Sequence, residues 1–319
     1  KKVSSSDLIN TVDMLSNIYD EPFSDSSQIP TYLVSEFASN DVKVVLTGDG
    51  ADEVFGGYNR HVLVDQYWSQ FKSLPTVIKK ISMTSGSLLS EKNWDQINNL
   101  LKNSIPSYNF EMLGNKIYKA INFMGSKNDY DLYESLVFIE KNTKNILIES
   151  SEHEFFQDYY KMIPDHITSA QKIMYLDQMI SLPSQILTKV DRATMANSLE
   201  SRIPFLNHKI VDFASSLPLK YMIDNGMGKK ILKEILFEHI PQELFQRPKR
   251  GFGVPIDEWL RHDLKTWSED LICEDKINKQ ENFNYKFIQR IWREHQSGKR
   301  NHANSLWSIL MFQSWLESH

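Results

Sequence analysis

Cysteine is nearly missing from this 319-residue chain: Cys273 stands alone, so no internal disulfide can form, and no paired Cys or Cys/His spacing offers a zinc site. On that account the chain reads as cytoplasmic. Long apolar runs are missing as well. The longest, such as Ile309 to Phe312, falls far short of the ~20 residues a membrane helix needs, and Lys1-Lys2-Val3-Ser4 opens no signal-peptide core. No initiator Met precedes those lysines, and such a start reads as a piece of a longer chain. There is no excess of positive charge either: 36 Lys+Arg against 41 Asp+Glu give a formal net charge of -5, so nothing pulls the chain toward phosphate backbones or anionic membranes. Arg247 to Arg250 is its one compact basic cluster, which argues against a nucleic-acid partner. The nine histidines show no metal-ligand spacing, and neither an internal repeat nor a low-complexity tract is found.

The composition that is present, 41% hydrophobic and 24% charged, is that of a folded globular chain long enough to bury a substantial core. Ser6-Asp7 can cap a helix with Leu8, Val12 and Leu15 at helical spacing, ending before Pro22, and a second helix is expected over Tyr32 to Ala38. Val42 to Leu46 is a short β-branched run, the pattern of a parallel strand buried on both faces. From Tyr58 to about Ile163 the pattern is irregularly helical, with loops expected at Ser82 to Ser90 and Asn103 to Asn109. Ile173, Leu176 and Ile180 share one helix face; Pro183 is expected to break or restart that helix, and another is expected to follow to Leu199. Near the C-terminus Leu306, Trp307, Ile309 and Leu310 line a core-packing face.

Directly after the Val42 to Leu46 strand comes Leu46-Thr47-Gly48-Asp49-Gly50-Ala51-Asp52-Glu53-Val54-Phe55-Gly56-Gly57-Tyr58. Ligands collect at the carboxyl ends of parallel strands, where glycines let the backbone approach a phosphate or ribose closely. Three acids in five residues would repel a phosphate unless they held a hard cation such as Mg²⁺. Read alone, the string is explained more simply as a tight turn whose Asp residues cap the next helix.

The longer context changes that weighting. Asp20-Glu21-Pro22-Phe23-Ser24-Asp25-Ser26-Ser27, the acidic glycine loop, Leu199-Glu200-Ser201-Arg202-Ile203-Pro204-Phe205-Leu206, Gly228-Lys229-Lys230-Ile231-Leu232-Lys233 and Arg247-Pro248-Lys249-Arg250-Gly251-Phe252-Gly253-Val254-Pro255 occur in one order and closely resemble the asparagine synthetase family over roughly residues 20 to 260. The resemblance implies an α/β fold, adenine nucleotide alpha-hydrolase-like and of the PP-loop ATP pyrophosphatase type, here truncated so that it is mostly α-helical. It implies a remainder of the nucleotide-binding half over residues 1–65 and a mainly helical remainder of the same domain over 66–319. It also implies a ligase using ATP and Mg²⁺: the aspartate side-chain carboxylate attacks the α-phosphate, giving an acyl-adenylate and pyrophosphate, and ammonia from glutamine then displaces AMP.

By that resemblance Asp52 matches the carboxylate for Mg²⁺-pyrophosphate, Asp49 a proton acceptor during amidation that is Glu in many members, and Lys229 the ammonium that stabilises charge around phosphorus. Gly48 and Gly50 belong to the nucleotide loop. Lys249, with Arg250, belongs either to a lid near the nucleotide or to a basic surface loop. Glu200 and Arg202 can pair, structurally or beside the substrate, whereas Asn207 stands where the family usually has Asp, and His61 reads as a local hydrogen-bonding group. The S-G-G-x-D-S phosphate loop that members carry upstream is not found; Thr84 to Ser90 lacks its second Gly and its Asp, and Cys273 cannot replace the terminal Cys of a glutaminase domain. The expectation is therefore a chain that binds ATP weakly, makes no asparagine alone, and works with the glutaminase domain of a parent chain, a homodimer being compatible. A related adenylating amidotransferase and a non-catalytic scaffold module are the alternatives.

Overall fold

In the computed structural model, residues 5–75, 79, 93, 121, 123–139, 145–149, 155–245 and 253–319 are described. The chain divides into two compact units, Lys1–Ser69 with His153–Val254, and Gln70–Glu152 with Pro255–His319. The described residues 155–245 thus group with the N-terminal segment across a long gap in sequence. The expected loops within 82–90 and 103–109 lie outside the described residues.

Unit 1 begins with α1 (Ser5–Ile18) and α2 (Gln28–Ser39). Leu8, Val12 and Leu15 are all buried, the face their spacing predicts, and Ile29, Tyr32 and Leu33 bury the inner side of α2. Helix α2 starts four residues before the expected Tyr32. Pro30 falls in its first turn, where the missing N–H would have had no helical partner.

Strand β1 (Val44–Leu46) follows and pairs in parallel with β2 (Glu200–Arg202), Val45 opposite Ser201. Thr47 N–H donating to Arg202 O (2.9 Å) and Glu200 N–H donating to Lys43 O (2.9 Å) extend the ladder at both ends. The expectation of a strand covered on both faces is corrected here: Val44 is 48% and Leu46 76% exposed. These two side chains project from one face of the pleat, and among the described residues the sheet has only two strands to shelter them.

After β1 come α3 (Ala51–Val54) and α4 (Asn59–Leu63), the latter continuing into a π-helical stretch, Val64–Trp68. Later, α5 (Ser169–Leu176) runs without interruption through a π-helical segment, Asp177–Leu187, into α6 (Thr188–Met195), which packs on α2 and β2. Pro183 therefore does not break the helix, contrary to expectation. A wider π turn tolerates the missing amide, while Ser184 Oγ donates to Ile180 O (2.5 Å) and Thr188 Oγ1 to Pro183 O (2.9 Å), giving carbonyls near the proline other donors. Phe155–Lys161, α7 (His208–Ser216) and α8 (Lys230–His239) are further helices of the unit.

The helices of unit 2 among its described residues include Asp129–Val137, then α9 (Ile256–Arg261), α10 (Lys265–Leu271), α11 (Glu274–Gln280), α12 (Tyr285–Gln296) and α13 (Ala303–Ser318), and an antiparallel bridge joins Leu147 to Phe283. Leu306, Trp307, Ile309 and Leu310 of α13 are buried, as expected, alongside Leu260, Leu264 and Ile288. Within this core His295 of α12 has no exposed surface; its Nδ1 accepts from the backbone N–H of His302 (3.3 Å). No helix among the described residues is long and apolar enough to cross a membrane.

Candidate functional site

The site is assembled by an apolar cluster in unit 1. Val54 and Phe55, Met174 of α5, Ala214 of α7, Met222 and Ile223 are buried together, with Phe205, Leu206, Ile231 and Leu232 packed against them. Fully burying such side chains stabilises by roughly 1.5–3 kcal/mol each. Anchoring Val54 and Phe55 on the same cluster as Ile231 and Leu232 carries the neighbouring Asp52 and Lys229 toward one another. The Asp52 Oδ1 to Lys229 Nζ distance is 3.1 Å, and both side chains remain partly exposed.

Two backbone features hold that pair. Gly50 takes φ +78° at the start of α3, beneath the side chain of Leu206, so a Cβ there would be both strained and obstructed. A Cβ on Gly228 would run into the carbonyl of Gly56, and this close approach lets the Lys229 N–H donate to Phe55 O (3.2 Å). Lys229 itself occupies the left-handed region (φ +54°, ψ +39°), an unfavourable place for a side chain that persists where the surroundings over-determine it.

The three acids of the loop separate in space. Glu53 is 1% exposed and turned inward, taking a hydrogen bond from the Tyr58 hydroxyl. Burial pushes its carboxyl up, and the Tyr58 hydrogen bond opposes that rise. A carboxylate so placed is unsuited to a metal at the loop mouth. Asp49 and Asp52 are partly exposed, and among the described residues no ion pair ties Asp49 down. Gly48 is exposed, with open space around it. Among the described residues no group of three His, Cys, Asp or Glu side chains could hold a metal. One outward carboxylate fits Mg²⁺ only in the way that ion is usually held beside phosphates, by one or two carboxylates with the remaining positions left to water and phosphate oxygens. Lys249 lies outside the described residues.

Other residues named from sequence also find places. His61 is buried with Nε2 2.6 Å from Asp177 Oδ2, a hydrogen-bonding role as expected. Arg202 Nε meets Glu200 Oε1 at 2.7 Å on the exposed β2, where an ion pair contributes little to stability. Asn207 is the N-cap of α7, its Oδ1 accepting from Lys209 N–H (3.0 Å), and Asn serves there as well as Asp would. The Asp25 to Ser27 stretch is a tied turn: Asp25 Oδ1 accepts from the Ser27 amide (2.9 Å) and hydroxyl (2.7 Å), and Lys189, 8% exposed, donates to Ser27 Oγ (2.9 Å) and Asp25 Oδ2 (3.3 Å).

Sequence reasoning missed Asp177, whose two oxygens take Arg60 Nε (2.8 Å) and Nη2 (2.9 Å) as well as His61. Burial alone would raise its carboxyl, but the hydrogen bond from His61 and the charge of Arg60 outweigh burial and hold it below the usual range. The signal was available: Asp177 follows Ile173 by four residues and precedes Ile180 by three, placing a carboxylate on an apolar face where only a paired charge survives.

The profile described as asparagine synthase matches residues 1–317. Asparagine synthetase [glutamine-hydrolyzing] 1 of Bacillus subtilis (strain 168) is 28% identical over 318 residues, 99% of this chain and 46% of that protein. The putative asparagine synthetase [glutamine-hydrolyzing] 2 of Methanocaldococcus jannaschii is 59% identical over 56 residues, 18% of this chain and 11% of that one, and the Homo sapiens asparagine synthetase [glutamine-hydrolyzing] is 33% identical over 126 residues, 37% and 22% respectively. The chain spans about half the length of the Bacillus relative and of the Mycobacterium tuberculosis putative asparagine synthetase, 46% and 45%. A profile match over nearly the whole chain places it in the asparagine synthase family.

Proposed function

We propose that this chain is the greater part of the synthetase half of a glutamine-dependent asparagine synthetase, activating the aspartate side-chain carboxylate with ATP and handing the acyl-adenylate to ammonia from a glutaminase domain. The observation that carries this reading is the Asp52–Lys229 juxtaposition at 3.1 Å, beside a loop that leads out of a parallel strand. Asp52 would hold Mg²⁺ together with pyrophosphate. When bound, that ion supplies charge neutralisation for the leaving group. Lys229, fixed through its backbone as well as its side chain, would offer an ammonium where negative charge grows on phosphorus. A preorganised cation is worth most there, because it need not reorganise as the reaction proceeds. Asp49, in the same turn, would accept a proton as ammonia attacks.

Isothermal titration of the 319-residue chain with Mg²⁺-pyrophosphate tests the reading. Weak binding that is abolished by Asp52→Asn and by Lys229→Met supports it; equal heats from the wild type and both variants overturn it. With MgATP the expected affinity is weaker than micromolar, and no asparagine is expected from aspartate, MgATP and ammonia with the chain alone.

A further inference from the structure

Asp177 takes no part in the chemistry above, yet unit 1 commits three donors to it. Arg60 approaches both of its oxygens, His61 one of them, and the carboxylate has no exposed surface. Arg60 then lays its guanidinium 3.9 Å from the centre of the Tyr58 ring, and His61 meets the same ring edge-on at 5.4 Å. The Tyr58 hydroxyl donates to Glu53, the neighbour of Asp52. The next residue of the π segment, Gln178, donates its side-chain amide to the backbone oxygen of Glu53 (3.1 Å). Two consecutive residues of one helical turn therefore grip the 53–61 loop at both ends. Irregular π turns of this kind recur where a helix must aim side chains that a regular turn would misplace.

Net stability is a poor explanation for such a triad. Withdrawing Asp177 and its partners from water offsets most of their attraction, and apolar residues would serve a plain core at least as well. What the triad supplies is a defined orientation. We propose that Asp177 is a positioning residue for the Asp52–Lys229 pair: by holding Arg60 and His61 against Tyr58, it fixes the loop so that the Asp52 carboxylate stays within reach of Lys229. This rests on the reading of that pair as a pyrophosphate site.

Hydrogen–deuterium exchange and ³¹P NMR titration with Mg²⁺-pyrophosphate, run on the whole chain, test it together. Asp177→Asn and Arg60→Gln should speed exchange in peptides covering residues 52–61, leave those of α2 and α7 at wild-type rates, and weaken pyrophosphate binding about tenfold, as loss of a supporting residue commonly does. Asp177→Glu should restore part of both. Arg60 is 21% exposed, so its variant carries the test if Asp177→Asn does not fold. Unchanged exchange at 52–61 in the variants overturns the proposal, and so does faster exchange spread evenly over unit 1 with unaltered pyrophosphate affinity. Failure of the wild type to bind pyrophosphate counts against the site itself, while exchange at 52–61 still decides whether Asp177 holds the loop.

Discussion

His295 gives unit 2 a pH dependence whose size can be worked out in advance. Its ring lies wholly inside the core, with Nδ1 committed to accepting from the His302 amide. Burial first, and then the positive charge of Arg261, holds its pKa down to about 4, against an ordinary value of 6.5; hydrogen bonding to the Asp257 backbone and the charge of its carboxylate oppose that shift, and His302 adds to it. The unfolded chain therefore takes up a proton below pH 6.5 that the folded chain refuses until about pH 4. Between those limits the unfolded state carries more protons, so stability rises with pH and falls on acidification. The whole shift corresponds to about 3 kcal/mol, of which about 2 kcal/mol should already be lost between pH 7.5 and 5. Urea unfolding followed by tryptophan fluorescence is a suitable assay, because among the described residues Trp259, Trp267, Trp292, Trp307 and Trp315 fall in unit 2 and Trp68 in unit 1. His295→Gln should flatten the slope, whatever it does to stability at pH 7.5. A unit 2 midpoint that does not move between pH 7.5 and 5, or a variant that keeps the wild-type slope, refutes the argument.

Two further outcomes are expected. Lys229→Gly should relieve about 1 kcal/mol of left-handed strain and give up a partly exposed ion pair worth less than that, so thermal unfolding of unit 1 stays level or rises while pyrophosphate binding disappears; a clear loss of stability would show that Lys229 is not strained as described. Asn207→Ala should cost about 1 kcal/mol through loss of the α7 cap, whereas Asn207→Asp should match or slightly exceed the wild type by favouring the helix dipole, both read from the denaturation midpoint.

The parts of this molecule that could be read from sequence are those set by local spacing. The Leu8, Val12 and Leu15 face of α1 and the Leu306 to Leu310 face of α13 follow from the 3.6-residue repeat, and both are buried. The acidic glycine string is legible as a turn from its glycines, while a chemistry for it comes only from the longer run of motifs around it. What escaped was decided by distant partners. Glu200-Ser201-Arg202 has no apolar alternation, and it becomes a strand only because β1 offers its backbone groups. Pro183 ends helices as a rule, but here the wider turn and the hydroxyls of Ser184 and Thr188 absorb it. Val44 and Leu46 have the composition of a fully covered strand, and composition does not reveal how many strands lie beside it. Glu53 shares the acidic run with Asp49 and Asp52, but Tyr58 and the core claim it.

The π-helical segment between Asp177 and Leu187 also makes chain length there a structural variable. At its two ends stand residues with fixed appointments, Asp177 with Arg60 and Lys189, two residues beyond, with Asp25. In an α-helix each residue advances the direction of everything after it by about 100°, and less in the wider π turns of this segment. Removing one residue between 178 and 186 would show whether the π turns tighten toward the α repeat and keep both pairings, or whether Lys189 is swung away from the Asp25 turn. A single deletion is thus a more searching probe of this helix than any exchange of side chains, since it tests phase rather than chemistry.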